Sequence, residues 1–475
     1  MIIGVEVQDH DLMISYYDAN GKIAYIRKRL ADHEIFNWAP ADKPSLHKNW
    51  DGANIRQDKS DPKWLTRTRL EELIIEKLTP DERALIYNFD NHPNKEYIDI
   101  EILLTDDTFP KPEEAKMPVG MISFGNEDGV NYILSIMRSD EFPNGIGKPE
   151  IEKMELEVNQ YFKNTIPHDP RDRKILDQNF TVKYMFFETE KELMEFYFHK
   201  IAPRQAFLTG WNVIDFDWQY LMNRSSKIGV DSLQNMTSRK TFSKRHKLPT
   251  HTGIVDYMQL FIDPGYKPYQ VVENTTLDYI SNKALNTSKL KHPYNSFREF
   301  QKDLYMFTLY NIIDNILVKL LEDKFGLLDV AFSVANIAEV EVNKIFSPVH
   351  ITEVLMCRQF LKTNQKMLKK PWESKKEEDS TYAGAYVMPP VPGYYKFVSC
   401  YDFKSMYPNI QMQFNCSPDT YLGKIGMIKE NGTEIKTKND TLFNSQKDSV
   451  ARLILEKLYN ARIEAQDEIK DLKFN

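Results

Sequence analysis

Apolar and polar positions alternate with a period of two over residues 1–7, 12–17 and 22–27, which predicts a β-rich start to the chain. A helical period takes over at Leu70, Leu73, Ile74 and Leu78, an amphipathic helix that closes at Thr79-Pro80. Residues 97–104 alternate in their first half and are rich in isoleucine, the pattern of a strand. Further on, Phe207-Leu208 forms a short apolar strand that meets a Gly210-Trp211-Asn212 turn, with a helix expected over 218–223. Residues 305–320 carry helical apolar spacing, 396–401 read as a strand, and 449–473 predict a last long helix. Between them, 369–379 is a charged linker without apolar period, and the chain holds no internal repeat.

Composition narrows the class. With 475 residues and 41% hydrophobic content the chain can bury several cores, and its length suggests about three domains. Cys357, Cys400 and Cys416 form no paired motif, so neither a disulfide framework nor a zinc site is expected. Glu6, Asp9 and Asp11 break any signal-peptide layout, and no uncharged apolar run approaches the ~20 residues of a membrane span. A reducing cytosolic setting is the expectation. The net charge of −7 argues against a simple nucleic-acid binder. Locally, however, Arg239, Lys240, Lys244, Arg245 and Lys247 surround Phe242, a composition able to neutralise phosphates and stack on a base. A solvated surface loop explains that cluster equally well.

Carboxylates are the candidate chemistry. On the 97–104 strand, Asp99 and Glu101 point the same way, and two like charges so close call for a cation. Beyond the Gly-Trp-Asn turn, both Asp215 and Asp217 are candidates, Asp217 sitting where a helix start favours a carboxylate. Tyr310 and Asp314 are four residues apart and share a helix face. Each feature alone suits an ordinary surface strand, helix cap or core aromatic. Finally, Asp402-Phe403-Lys404-Ser405-Met406-Tyr407-Pro408 crowds a carboxylate, a hydroxyl, an aromatic ring and a proline into a turn after the last predicted strand.

Taken in order, these strings resemble the family B DNA polymerases, in the branch carried by large tailed phages. D-I-E at 99–101, N-x-x-x-F-D at 212–217 and Y-x-x-x-D at 310–314 resemble the 3′→5′ proofreading exonuclease of the DEDD type, and the N-x-x-x-F-D spacing selects Asp217 over Asp215. Leu277–Ser281 and Lys289–Lys291 fall in register with the same family. The resemblance implies that Asp99, Glu101, Asp217 and Asp314 hold two divalent ions, Mg2+ or Mn2+, while Tyr310 orients the attacking water. It also implies that Asp402 is a metal ligand of the polymerase palm and that Ser405 and Met406 offer N–H groups to the triphosphate. Tyr407 would then pack under the nucleotide sugar and Arg462 would grip the phosphates, although Gln466 stands where a lysine is expected one turn later. Tyr382 and Gly384 resemble a template-contacting motif, and the basic cluster becomes a DNA-facing hairpin.

The implied fold is α/β and α+β, multidomain. A β-rich N-terminal domain over 1–95 leads into a ribonuclease H-like exonuclease over 96–327, and 328–375 return to the N-terminal domain and supply a linker. A partial palm occupies 376–448 and the start of the fingers 449–475. Neither a Y-G-D-T-D hairpin nor a K-x-x-x-N-S-x-Y-G helix occurs, so nucleotide addition is expected to need further carboxylates. A second chain supplying the rest of palm, fingers and thumb is the preferred expectation, with primer-template DNA, a single-stranded 3′ end, dNTP and, through that second half, replisome factors as partners. A truncated product, a stand-alone exonuclease and a non-catalytic nucleic-acid-binding or regulatory fragment are the alternatives.

Overall fold

A computed structural model describes the chain except residues 50–51, 60–64, 89, 168–174, 176, 233–237, 241–246, 368–385, 427–431 and 475, with backbone alone for 238–240, 247 and 473–474. It is a mixed α/β multidomain protein with a β-rich start. Two compact units emerge: Met1–Asp32 with Lys77–Ile351, and His33–Glu76 with Thr352–Asn475.

Three antiparallel strands, β1 (Ile2–Gln8), β2 (Asp11–Tyr17) and β3 (Ile23–Arg29), open the first unit where the alternation predicts them. The chain then enters the second unit, where β4 (Asn37–Pro40) pairs with β5 (Ile55–Asp58) and α1 (Arg67–Lys77) follows. Inside that unit Arg69 is buried between Glu72 at 2.8 Å and Glu76 at 3.4 Å, and Glu72 also accepts from the Trp38 indole at 2.8 Å. Back in the first unit, Thr79 does more than end a helix. With Glu82 it forms a reciprocal cap that starts α2 (Pro80–Ile86), an element the sequence reading passed over.

A mixed six-stranded sheet dominates the first unit. Its members are β6 (Lys95–Ile102), β7 (Val119–Asn126), β8 (Val130–Ser135), β9 (Thr181–Phe186), β10 (Phe207–Gly210) and β13 (Gly253–Asp256), in the order β13-β10-β6-β7-β8-β9. The short strands β11 (Ser238–Lys240) and β12 (Lys247–Pro249) form an antiparallel hairpin outside that sheet. β6 runs parallel to β10 and antiparallel to β7. Its Ile98, Ile100 and Ile102 enter the core with Ile122, Phe124, Leu208 and Trp218. That leaves Asp99 and Glu101 on the opposite face, as the period of two requires. β10 approaches β6 so closely that a Cβ at Gly210 would lie 2.4 Å from the Ile98 carbonyl oxygen.

Helices complete the layers: α3 (Lys148–Thr165), α4 (Glu190–Phe196), α5 (Asp217–Ile228), α6 (Tyr257–Ile262), α7 (Leu277–Leu285), α8 (Phe297–Phe300), α9 (Leu304–Phe325) and α10 (Leu327–Ala338). α9 lies across β6 and β7. Asp303 caps its start by accepting from Met306 N at 3.1 Å, and Gly326 ends it in the left-handed conformation that glycine tolerates. Although Asp314 and Lys319 interrupt its apolar run, α9 is long and apolar enough to cross a membrane by length and composition. Within the protein, 89% of its apolar window is buried, so it forms a core helix carrying Asp314, Lys319 and Glu322. Below it, Lys95 Nζ lies 2.8 Å from Glu322 Oε1, and Glu322 Oε2 accepts from the Tyr257 hydroxyl at 3.1 Å and from Leu328 N at 3.0 Å.

α11 (Pro348–Lys362) follows, so residues 327–362 are largely helical. In the second unit, Arg358 pairs with Glu71 at 2.7 Å and Lys366 with Glu72. Beyond 385 come α12 (Met406–Gln413), the sheet β14-β16-β15 built from Tyr421–Lys424, Thr441–Asn444 and Glu434–Lys436, and α13 (Val450–Phe474). The strand expected over 396–401 does not form: these residues are exposed, and Phe397 has φ +59°. A strand needs a hydrogen-bonding neighbour as well as propensity, and the described residues give this segment none.

Candidate active site

The first unit brings its acidic candidates to one place from three elements. Asp99 and Glu101 stand on β6, Asp217 opens α5, and Asp314 comes from the middle of α9. Glu101, Asp217 and Asp314 are buried and Asp99 is partly accessible. Asp217 Oδ1 accepts from Ile100 N at 3.1 Å, which docks the first residue of α5 against the strand between the two β6 carboxylates. Asp215 brings its charge to bear on Asp256. Asp256 in turn fixes the intervening loop, accepting from Asn212 N at 3.1 Å and Met258 N at 3.0 Å.

Electrostatics registers this crowding. Burial, then the Asp314 charge, pushes the Asp99 carboxyl up to about 7 against the pull of Lys289 and a hydrogen bond from Asn311. Glu101 is driven well above the carboxylate range by burial and then by Asp99 and Asp314, and Asp217 by burial and then Asp99. Asp314 is raised by burial, with Lys289 opposing. Like charges held in a low-dielectric site repel one another strongly, so an added cation is stabilising there.

Two neighbours were not singled out from the sequence. Lys289 Nζ lies 2.5 Å from Asp314 Oδ2 and 3.1 Å from the Tyr310 hydroxyl. Burial alone would lower its ammonium, but Asp314, Tyr310 and Asp99 hold it above the usual lysine range. The K-L-K string gave a match in register and no sign that its first lysine meets a residue 25 positions away. Asn311 donates from Nδ2 to Asp99 Oδ2 at 2.6 Å, and the only signal for it was its place between Tyr310 and Asp314. Tyr310 is set by an edge-on contact with Phe300, ring centroids 5.5 Å apart.

The donor set fits hard divalent cations, which take carboxylate oxygens. Asp314 Oδ1 is buried without a hydrogen-bond partner, an acceptor that a metal or its water would satisfy. As arranged, no three His, Cys, Asp or Glu side chains among the described residues close around a single point. Lys289 holds the Asp314 oxygen instead.

Asp99 gives a test by pH. In the folded chain without metal it titrates near 7, against an ordinary 3.8. The native state therefore keeps a proton there that the unfolded chain has released, a contribution that favours folding at acid pH and is lost as pH rises through 7. In chelator, an Asp99→Asn variant is expected to unfold at higher temperature than the native chain at about pH 8, by a smaller margin near pH 5, and to draw level only below about pH 4, where Asp99 is protonated in both states. An equal margin across that range would refute the shift.

In the second unit Asp402 is exposed and precedes Ser405, which caps α12 in a left-handed conformation at φ +53°. Arg462 Nη1 reaches Ser405 Oγ at 3.4 Å, so these two candidates, 57 positions apart, do meet. Met406 and Tyr407 lie in the first turn of α12, and Tyr407 is 72% exposed. No end of a strand positions Asp402, because the predicted strand before it is absent. Arg239, Lys240 and Lys247 lie on the hairpin β11–β12 by backbone, whereas Lys244, Arg245, Tyr382 and Gly384 fall outside the described residues.

Comparison with known proteins agrees with this layout. Residues 67–256 match the DNA polymerase family B exonuclease domain and residues 347–473 match DNA polymerase family B, together more than half of the chain. The first match includes Asp99, Glu101 and Asp217 and stops before Tyr310 and Asp314. The DNA-directed DNA polymerase of Escherichia phage RB69 is 28% identical over 89% of this chain, and that of Enterobacteria phage T4 is 25% identical over 89%. The DNA polymerase delta catalytic subunit of Plasmodium falciparum is 26% identical over 61%. The chain spans about half the length of the two phage relatives, 48% and 47% of them. Exonuclease domains of this family generally use divalent metal ions. With its exonuclease domain and part of its polymerase region both represented, the chain belongs to the DNA polymerase family B.

Proposed function

We propose that this chain removes nucleotides from single-stranded 3′ ends of DNA, the proofreading reaction, at Asp99, Glu101, Asp217 and Asp314. The observation that carries this is the buried cluster of mutually repelling carboxylates with Asp314 Oδ1 left unpaired. Two magnesium or manganese ions held by these four residues would activate water and neutralise the leaving 3′-oxygen. The protein's share is orientation. Tyr310 OH stands beside Lys289 Nζ at 3.1 Å and directs the incoming water oxygen at phosphorus. As the new P–O bond forms, the bond to the 3′-oxygen breaks; that oxygen takes up a proton, and a nucleoside 5′-monophosphate leaves. With Asp314 given over to metal, Lys289, now 2.5 Å from its Oδ2, would face the phosphate charge.

An exposed ring supports a single-stranded substrate. Phe109, 76% exposed, lies 6.0 Å by centroids from Phe216, the residue before Asp217. Unstacked bases take such faces; a duplex does not offer them. The mixed six-stranded sheet with carboxylates on its central strand supports a ribonuclease H-like fold, and the β11–β12 hairpin supports a basic arm along the DNA.

For the second unit we propose dNTP binding through Ser405, Met406, Tyr407 and Arg462, with Asp402 as one metal ligand. The Arg462–Ser405 contact supports that assignment. Phosphoryl transfer there needs more carboxylate than Asp402 supplies, so a complementary polymerase segment would complete the site on primer-template DNA. The exposed Tyr401, Phe403 and Tyr407 offer it an apolar face.

The test is 5′-labelled single-stranded DNA incubated with the purified chain and Mg2+ or Mn2+. A ladder shortening stepwise from the 3′ end, abolished by chelator, is expected. Internal cutting, or no cutting at all, would sink the proposal.

A further inference from the structure

Helix α9 turns two polar pairs toward β6. Tyr310 and Asp314 meet Lys289, while Asn311 and Asn315, also four apart, meet the strand. Asn315 Nδ2 donates to the Tyr97 carbonyl at 3.0 Å and to Ser123 Oγ at 3.3 Å, and Ser123 Oγ donates to the Asp99 carbonyl at 3.2 Å. The backbone of β6 is thereby held on both sides of Ile98. Asn311 acts on the Asp99 side chain itself, at 2.6 Å.

Packing does not account for an asparagine here. Asn311 is 0% exposed, its helix neighbours Ile312, Ile313 and Ile316 are buried apolar residues, and its Oδ1 is buried without a partner. Leucine would fill a similar volume without stranding an acceptor, whose burial without a partner is costly. An unsatisfied polar atom kept in a core needs a compensating role.

On the nuclease reading of this same site, we infer that Asn311 is a positioning residue: its amide fixes the Asp99 carboxylate in the orientation from which Asp99 takes a divalent cation. A hydrogen bond to one carboxylate oxygen removes a rotation that metal binding would otherwise have to freeze.

The test uses Asn311→Leu and Asn311→Ala in the full chain, with Mn2+ alone as probe, titrated by electron paramagnetic resonance without DNA. Mn2+ dissociation constants are expected to rise about ten- to a hundredfold, and kcat for single-stranded DNA to fall to a similar degree. KM for DNA should stay within about twofold, because the DNA contacts are untouched. Asn311→Leu is expected to unfold close to the native temperature, because removing the stranded oxygen offsets the donor that Asp99 loses. Loss of metal affinity without loss of stability is an outcome that a packing role cannot produce. Native Mn2+ affinity in Asn311→Leu overturns the inference while leaving the nuclease reading intact. A native chain that neither binds Mn2+ nor digests DNA overturns that reading and this inference together.

Discussion

Replacing Asp99 and Glu101 together by alanine is expected to reduce 3′-end digestion by on the order of 10³-fold or more, which corresponds to about 4 kcal/mol of barrier. Both side chains come from one face of β6, and each raises the electrostatic cost of the other's charge. With both removed, Asp217 and Asp314 remain from two different helices, and Asp314 keeps Lys289 at 2.5 Å. Metal held by one carboxylate from each helix cannot both activate water and neutralise the leaving oxygen. Stability should move the other way. Deleting two carboxylates whose ionisation the site penalises relieves the fold, so the double variant should melt at or above the native temperature at neutral pH. Single-stranded DNA binding, followed by fluorescence anisotropy, should persist. Digestion that survives the double substitution would mean that another site, or a contaminant, does the cutting.

The second large effect concerns the fold beneath the site. Lys95→Ala is expected to destabilise the first unit by about 3–5 kcal/mol, because it leaves the Glu322 carboxylate buried without its cation. Lys95 Nζ stands 2.8 Å from Glu322 Oε1 with both side chains nearly excluded from water, at 9% and 3% exposure. Asp329, also 2.7 Å from the same ammonium, is 57% exposed and compensates little. The double variant Lys95→Met with Glu322→Leu removes both charges and should recover most of the loss. Thermal unfolding of the native chain, Lys95→Met, Glu322→Leu and the double variant gives the cycle, read on the transition of the first unit. Nuclease rate measured well below that transition should change little, since no contact to Asp99 or Glu101 is altered. Equal melting of Lys95→Ala and the native chain would show that Glu322 carries no charge to compensate.

Sequence alone determined what depends on local chain geometry. A period of two puts Asp99 and Glu101 on one face of a strand, and a spacing of four puts Tyr310 and Asp314 on one face of a helix, whatever the rest of the chain does. The N-terminal strands and the last helix were legible for the same reason. Pairings between remote segments were not. Asp217 rather than Asp215 meets β6 because the Ile100 amide needs an acceptor at that point, a fact that arises only when α5 docks on the sheet. Lys289 meets Asp314, and Asn311 meets Asp99, because burial forces each buried polar group to find a partner from whatever element packs against it. The 396–401 segment shows the same dependence in reverse: its composition favours a strand, yet no neighbouring strand among the described residues offers it hydrogen bonds, and it stays exposed and irregular. Periodicity is written along the chain, but which groups must satisfy one another is decided by what the fold shuts away from water.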